Sequence, residues 1–238
     1  MKLAGQTALV TGANRGIGRR FVVELLARDV RKVYAGIRNP DAVDVEMRED
    51  PRVELVRLDI TDIDMVEAAA RQAEDVSVLI NNAGIIAYQP LLEADVDTIR
   101  REIETSVFGT LSMARAFAPA LRARQGAMTN ILSALAWFSY PGSGGYSAGK
   151  AAAWSLTNSL RLELAPAGVL VQGVHLGSVD TDFSAGYDGF KIDPTDVARS
   201  TLDGIENDQI EVLVDDWSRA VKAALTSEPN AVLNELIG

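Results

Sequence analysis

Three side chains in this sequence could move a proton together. Tyr146 and Lys150 close the run Tyr146-Ser147-Ala148-Gly149-Lys150, and on a helix a spacing of four puts both on one face. A free phenol ionises near pH ~10. A neighbouring ammonium favours the phenolate and brings the group toward the range where acid–base catalysis is efficient. Ser133 lies thirteen residues before Tyr146. A hydroxyl there could hydrogen-bond a substrate oxygen as charge develops on it. Tyr and Lys at this spacing also decorate ordinary solvated helix faces, so the set gains meaning from its setting.

A second constellation comes first in the chain. An apolar run enters Thr11-Gly12-Ala13-Asn14-Arg15-Gly16-Ile17-Gly18, a G-x-x-x-G-x-G spacing between strand and helix. Such glycines permit a tight turn, close backbone approach to a pyrophosphate, and close packing of helix on strand. The helix opening at Gly16 would aim unpaired N–H groups and a positive dipole end at the phosphates. A site for NAD places Asp or Glu at the end of the second strand. Here the sequence reads Ala35-Gly36-Ile37-Arg38-Asn39, without a carboxylate. Arg38 and Arg15 suit a 2′-phosphate, which a guanidinium grips bidentately. The expected cofactor is NADP(H) in preference to NAD(H).

These groups need elements to hold them. Apolar runs predict strands at Thr7–Val10, Lys32–Ile37, Val53–Leu58, Val76–Asn81, Ala127–Leu132, Val169–His175 and Ile210–Val214. Several are near-continuous, as strands buried on both faces should be. Helices are predicted over Gly16–Arg28, Asp62–Glu74, Asp95–Arg124, Tyr146–Ala165, Pro194–Glu206 and Asp215–Thr226, with Asp62 and Asp95 as N-caps and Pro166 with Gly168 as a stop. The alternation predicts an α/β fold: a doubly wound, Rossmann-type, seven-stranded parallel sheet with helices on both faces. One domain spanning 1–238 would carry both cofactor and substrate sites. The stretch 182–193, DFSAGYDGFKID, is the expected irregular loop at a strand's carboxyl end.

Taken together, these motifs resemble the short-chain dehydrogenase/reductase family, in its single-domain branch, over essentially the whole chain. The matching marks are Thr11–Gly18, Leu58-Asp59-Ile60-Thr61, Asn81-Asn82-Ala83-Gly84, Ser133, Tyr146 with Lys150, and Gly177 with Thr181. The resemblance implies that Gly12, Asn14, Arg15, Gly16, Ile17 and Gly18 hold the nucleotide. It implies that Asp59 and Ile60 receive the adenine, that Asn81, Ala83 and Gly84 line the cofactor, and that Thr181, beside Gly177, bonds the nicotinamide amide. Tyr146 would deliver the proton, Ser133 would orient the carbonyl, and Lys150 would lower the Tyr146 pKa and hold the ribose. Pairing into a homodimer or homotetramer is expected by the same analogy.

Two positions depart from the family pattern. Ser106 stands in Thr105-Ser106-Val107-Phe108-Gly109 where the family places an asparagine of a proton relay. Leu176-Gly177 replaces the usual Pro-Gly, which leaves that turn less constrained. The candidate substrate pocket is apolar and aromatic: Leu135, Trp137, Phe138, Tyr140, Phe183 and Tyr187. It suggests a small, mostly hydrophobic ketone, aldehyde or secondary alcohol.

Composition narrows the classes. The chain has 33 acidic against 23 basic residues, a net charge of −10, and no basic stripe, which argues against nucleic-acid binding. It has no cysteine and one histidine, His175, so no metal site is expected. No signal segment or membrane span is read, and a cytoplasmic setting is expected. Two other readings share the fold. One is an NADP(H)-binding sensor or scaffold without efficient turnover, kept open by Ser106. The other is a non-redox enzyme, against which the glycine turn, Asp59 and Arg38 argue. If a relay runs through position 106, Ser106→Asn alters turnover across pH. An unchanged pH–rate profile removes that role.

Overall fold

The computed structural model describes residues 1–40 and 43–227. Seven strands, β1 (Thr7–Thr11), β2 (Lys32–Ile37), β3 (Val53–Arg57), β4 (Val78–Asn81), β5 (Ala127–Ile131), β6 (Leu170–His175) and β7 (Glu211–Leu213), form one sheet in the order β3-β2-β1-β4-β5-β6-β7. Every pairing is parallel. Each residue of β1, β4 and β5 is buried, because helices cover both faces. Strand alternation divides the core. Ala8, Val10, Val78 and Ile80 pack with Phe21 and Leu25 of α1 (Gly16–Ala27), Met47 of α2 (Val45–Glu49) and Leu202 of α7 (Pro194–Glu206). Leu9 and Leu79 pack with Val66 of α3 (Ile63–Gln72), Phe117 of α5 (Thr110–Arg124) and Leu160 of α6 (Gly144–Leu164). This is the doubly wound fold. Strand order reverses between β1 and β4, which opens a crevice at their carboxyl ends.

The elements begin and end for local reasons. Asp62 accepts bonds from the N–H groups of Asp64 and Met65 and starts α3. Asp193 caps α7, with Pro194 at its first position. Gly168, at φ +72°, ends the 3₁₀ turn Ala165–Ala167 that closes α6. Other boundaries differ from expectation. Asp95 precedes α4 (Val96–Ile103), but its side chain bonds no helix N–H. The helix expected over Asp95–Arg124 is broken by a π-helical segment, Glu104–Gly109, between α4 and α5. Its last residue lies so close to β3's following turn that a Cβ on Gly109 would be 2.8 Å from Ile60. Helix α6 starts at Gly144, not Tyr146, and short α2, capped by Asp44, was not anticipated. The 182–193 loop opens with a 3₁₀ turn, Asp182–Ser184, and is closed by a bridge between Val179 and Ile192. Helix α8 (Asp216–Ala224) packs Val221 against Ala134 and Phe138. Among the described residues no helix is long and apolar enough to cross a membrane.

A buried polar chain ties the central strands to α6. Asn81 Nδ2 donates to Asn130 Oδ1 at 2.8 Å, Asn130 Nδ2 donates to Thr157 Oγ1 at 2.9 Å, and Thr157 donates to the Ala153 carbonyl at 2.7 Å. Thr157→Val keeps the volume and orphans a buried amide donor. We expect it to lower stability by about 1–3 kcal/mol, read as a lower urea midpoint at unchanged slope.

Candidate active site

A cavity of about 1360 Å³ runs along the carboxyl edge of the sheet. Its nucleotide half is built by the turn after β1. Gly12 and Gly16 sit at φ +68° and +53°, in the left-handed region that a side chain disfavours. Gly18 allows α1 to press onto the turn, since a Cβ there would be 2.1 Å from the Gly12 carbonyl oxygen. Thr11 Oγ1 accepts from the N–H groups of Asn82 and Ala83, each at 3.0 Å, and Asn82 Nδ2 donates to the Thr11 carbonyl at 2.9 Å. These bonds lock the ends of β1 and β4 together. The first turn of α1 carries neither a capping side chain nor an acid, so its free N–H groups present positive potential to the cavity.

Charged groups frame that half. Arg38 is exposed on the cavity and pairs with no acid among the described residues. Arg15 reaches across to Asp182, 3.1 Å away. Asp59 Oδ1 accepts from the backbone and hydroxyl of Thr61 at 3.0 and 2.7 Å, which leaves its second oxygen for a ligand. A Cβ on Gly84 would make ordinary contacts of 3.9–4.0 Å with the Asn82 carbonyl oxygen, Lys150 and Phe183. The left-handed turn and the uncapped helix start on one wall of the cavity fit a dinucleotide.

Ser133, Tyr146 and Lys150 lie where β5 and α6 converge. Ser133 is buried; its Oγ accepts from Leu135 N–H at 3.1 Å and donates to the Leu176 carbonyl at 3.4 Å. Lys150 Nζ donates to the Ile131 carbonyl at 2.7 Å and sits 5.5 Å from the centre of the Tyr146 ring. Sequence reasoning expected the ammonium to pull the phenol down. In the folded chain the balance runs the other way. Burial, opposed by the Ser133 hydroxyl, holds Tyr146 well above the ordinary phenol value, and burial pushes Lys150 down to about 8. Tyr146 is therefore held protonated.

Most residues assigned from sequence line this cavity: Gly12, Asn14, Arg15, Gly16, Ile17, Arg38, Asp59, Ile60, Ala83, Gly84, Ser133, Tyr146, Lys150, Gly177 and Thr181. So do Leu135, Phe138, Tyr140, Phe183 and Tyr187 of the substrate half. Four stand behind it. Gly18 supports the turn, and Asn81 is bonded between strands. Ser106 is buried beneath α6, where a Cβ on Gly149 would be 3.3 Å from its Oγ, and that Oγ has no hydrogen-bond partner. Trp137, expected in the pocket, instead lies flat on His175, ring centres 3.7 Å apart. The cause is the residue given no role: His175 Nδ1 lies 3.1 Å from the Ser133 carbonyl, so that nitrogen carries the hydrogen. Burial holds His175 down to about 4, hence neutral.

Sequence reasoning missed Trp217 and Asp215, which line the cavity. Trp217 lines the cavity and meets Phe138 edge-on at 6.2 Å. Its signal was the capping box of Asp215 with Ser218, which starts α8 directly after a strand's carboxyl end. Asp215 also accepts from Gly177 N–H at 2.7 Å. That bond and the buried Leu176 side chain fix the turn that proline usually stiffens. No group of His, Cys, Asp or Glu able to hold a metal occurs among the described residues.

A family model described as short chain dehydrogenase matches residues 6–189. The solved structure of a short chain dehydrogenase from Burkholderia cenocepacia J2315, in complex with NADP, is 40% identical, with a TM-score of 0.94 and 100% of both chains covered. Carbonyl reductase [NADPH] 2 of Sus scrofa is 32% identical over 74% of this chain and 72% of its own. The short-chain dehydrogenase cctT of Talaromyces islandicus is 32% identical over 74% of this chain, which spans 64% of that relative's length. Similar structures include complexes with NADPH and with NAD.

Burial of Lys150 yields a prediction. Its folded pKa lies below the unfolded one, so the folded state disfavours the charged form. That penalty is complete below about pH 8 and disappears as pH rises toward 10.5. Lys150→Met removes it but also loses the bond to Ile131. We expect a variant stabilised by about 1–3 kcal/mol at pH 7, with the gain vanishing in alkali. Chemical denaturation at both pH values measures it, and equal differences at the two would refute the assignment.

Proposed function

This chain belongs to the short-chain dehydrogenase family, and on that premise we propose that it is an NADP(H)-dependent carbonyl reductase or alcohol dehydrogenase acting on a small, mostly hydrophobic ketone or aldehyde. One observation carries the reading. Ser133, Tyr146 and Lys150 are gathered on a single cavity whose far end is the glycine turn. When bound, the nucleotide supplies or accepts the hydride. Gly12, Gly16 and the α1 N-terminus would hold its phosphates, Asp59 its adenine, and Lys150 its nicotinamide ribose. Arg15 and Arg38, with Ile37 where an acid would exclude it, favour a 2′-phosphate.

The chain's own groups do the rest. Ser133 orients the carbonyl oxygen by hydrogen bonding. Tyr146, kept protonated by burial, donates its proton to that oxygen as negative charge develops there. Lys150 stands next to the phenol and favours the phenolate that forms. Phe183 packs on Tyr146 with ring centres 5.9 Å apart, and Tyr187 meets Tyr140 at 6.5 Å. These rings keep water from the reacting carbonyl and favour an apolar or aromatic substrate. Assembly as a homodimer or homotetramer belongs to the same reading. Exposed Phe108 and Leu162, on the π-helical segment and α6, support it.

The deciding experiment follows NADPH absorbance against aryl and alkyl ketones and aldehydes, with NADH in parallel. Tyr146→Phe is expected to reduce turnover at least ~100-fold while still binding NADPH. Arg38→Ala should weaken NADPH binding about tenfold and leave NADH unchanged. Binding without turnover on any carbonyl would replace this reading with that of a nucleotide sensor, to which the unpartnered Ser106 Oγ gives support. Failure to bind either nucleotide would point to a non-redox enzyme.

A further inference from the structure

Glu102 is a carboxylate at a place where the fold expects an apolar side chain. It stands in α4 one turn before Ser106, with 4% of its surface exposed. Acids so deeply buried usually meet an opposite charge. Glu102 accepts one hydrogen bond, from Ala87 N–H at 2.8 Å, and pairs with no cation among the described residues. Its other oxygen lies against the first turn of α6, where a Cβ on Gly145 would be 2.2 Å from Oε2. Gly145 immediately precedes Tyr146. A single carboxyl group thus touches both the loop after β4 and the turn that carries the proton donor.

We propose that Glu102 is a positioning residue for Tyr146: it joins the loop after β4 to the first turn of α6, and its charge acts on the phenol. It does not line the cavity and does not touch substrate. Among the described residues few polar or titratable groups act on the phenol. Ser133 comes from the end of β5, Lys150 from the next turn of α6, Tyr88 from the loop after β4, and Glu102 from α4. Arg101 on the same helix and Glu104 at the start of the π-helical segment are exposed. Ser133 favours the phenolate, whereas Tyr88 and Glu102 oppose it. Burial raises the Glu102 carboxyl group above the ordinary range. Once pH passes that titration, the ionised carboxylate holds the proton on Tyr146. Glycine at 145 is what leaves room for it.

The kinetic arm of the test rests on the reductase reading, and a spectroscopic arm does not. Glu102→Gln keeps an oxygen to accept from Ala87 and removes the charge. The basic limb of kcat/KM for carbonyl reduction should then move to lower pH by about one unit, with the melting temperature held or raised. Glu102→Asp, which keeps the charge, should leave the limb near its original position. A purely structural role would change the melting temperature and KM without moving the limb. The second arm follows tyrosinate absorbance, taking the difference between chains with Tyr146 and with Tyr146→Phe. In the Glu102→Gln background the Tyr146 contribution should appear at lower pH. An unshifted contribution in folded protein overturns the proposal, whether or not any carbonyl is reduced. A shifted contribution without turnover supports the role of Glu102 and overturns the reductase reading alone.

Discussion

Tyr146 and Lys150 are buried side by side at the carboxyl edge of the sheet, and among the described residues no acid pairs with the Lys150 ammonium. Much of the surrounding architecture serves to keep that arrangement rigid. The Lys150 ammonium needs an acceptor, and β5 supplies one by ending so that the Ile131 carbonyl points to it. The position of β5 under α6 is in turn fixed by the buried chain from Asn81 through Asn130 to Thr157. A sheet that slipped by one residue would carry the carbonyl to the wrong side. The central strands therefore act as a jig for two groups that would otherwise relax toward water.

The nucleotide half solves the opposite problem. It must attract an anion to a chain with a net charge of −10. It does so locally, with an uncapped helix start, Arg38 on the cavity wall, and Arg15 held at the rim by Asp182. Exposed charges beyond a Debye length of about 8 Å are largely screened at physiological ionic strength. The remote acids therefore matter little, and a few close groups decide which nucleotide fits. The Arg15–Asp182 pair also links the glycine turn to the substrate loop, so the two halves of the cavity are not independent.

Legibility in the sequence followed the range of the constraint. The glycine turn could be read because left-handed backbone and close approach admit few residue types. The Tyr146/Lys150 pair could be read because helical spacing alone aligns it. The β-α alternation carried the sheet. The π-helical segment left no such local mark, and the close approach of its last residue, Gly109, to Ile60 joins distant parts of the chain. Trp137 was misassigned for a similar reason: an aromatic near a strand end can face a cavity or lie behind it, and His175 decides which. Glu102 had left a trace. On the stripe of Ile99, Glu102, Ser106, Thr110 and Met113, a charge interrupts the side that packs inward.

Both departures from the family pattern transfer control to residues outside the recognised motifs. Where proline would rigidify the turn after β6 by fixing one dihedral, this chain uses Asp215 on the Gly177 N–H and the buried side chain of Leu176. A local restraint has become a tertiary one, so the turn's geometry now depends on α8. Where the family places an asparagine, Ser106 offers a shorter side chain whose hydroxyl finds no partner among the described residues, while a carboxylate enters one turn earlier against the start of α6. An amide is neutral at every pH, but a carboxylate is not. The surroundings of Tyr146 therefore contain a group whose charge changes with pH, and that group comes from α4 and not from the helix that carries Tyr146.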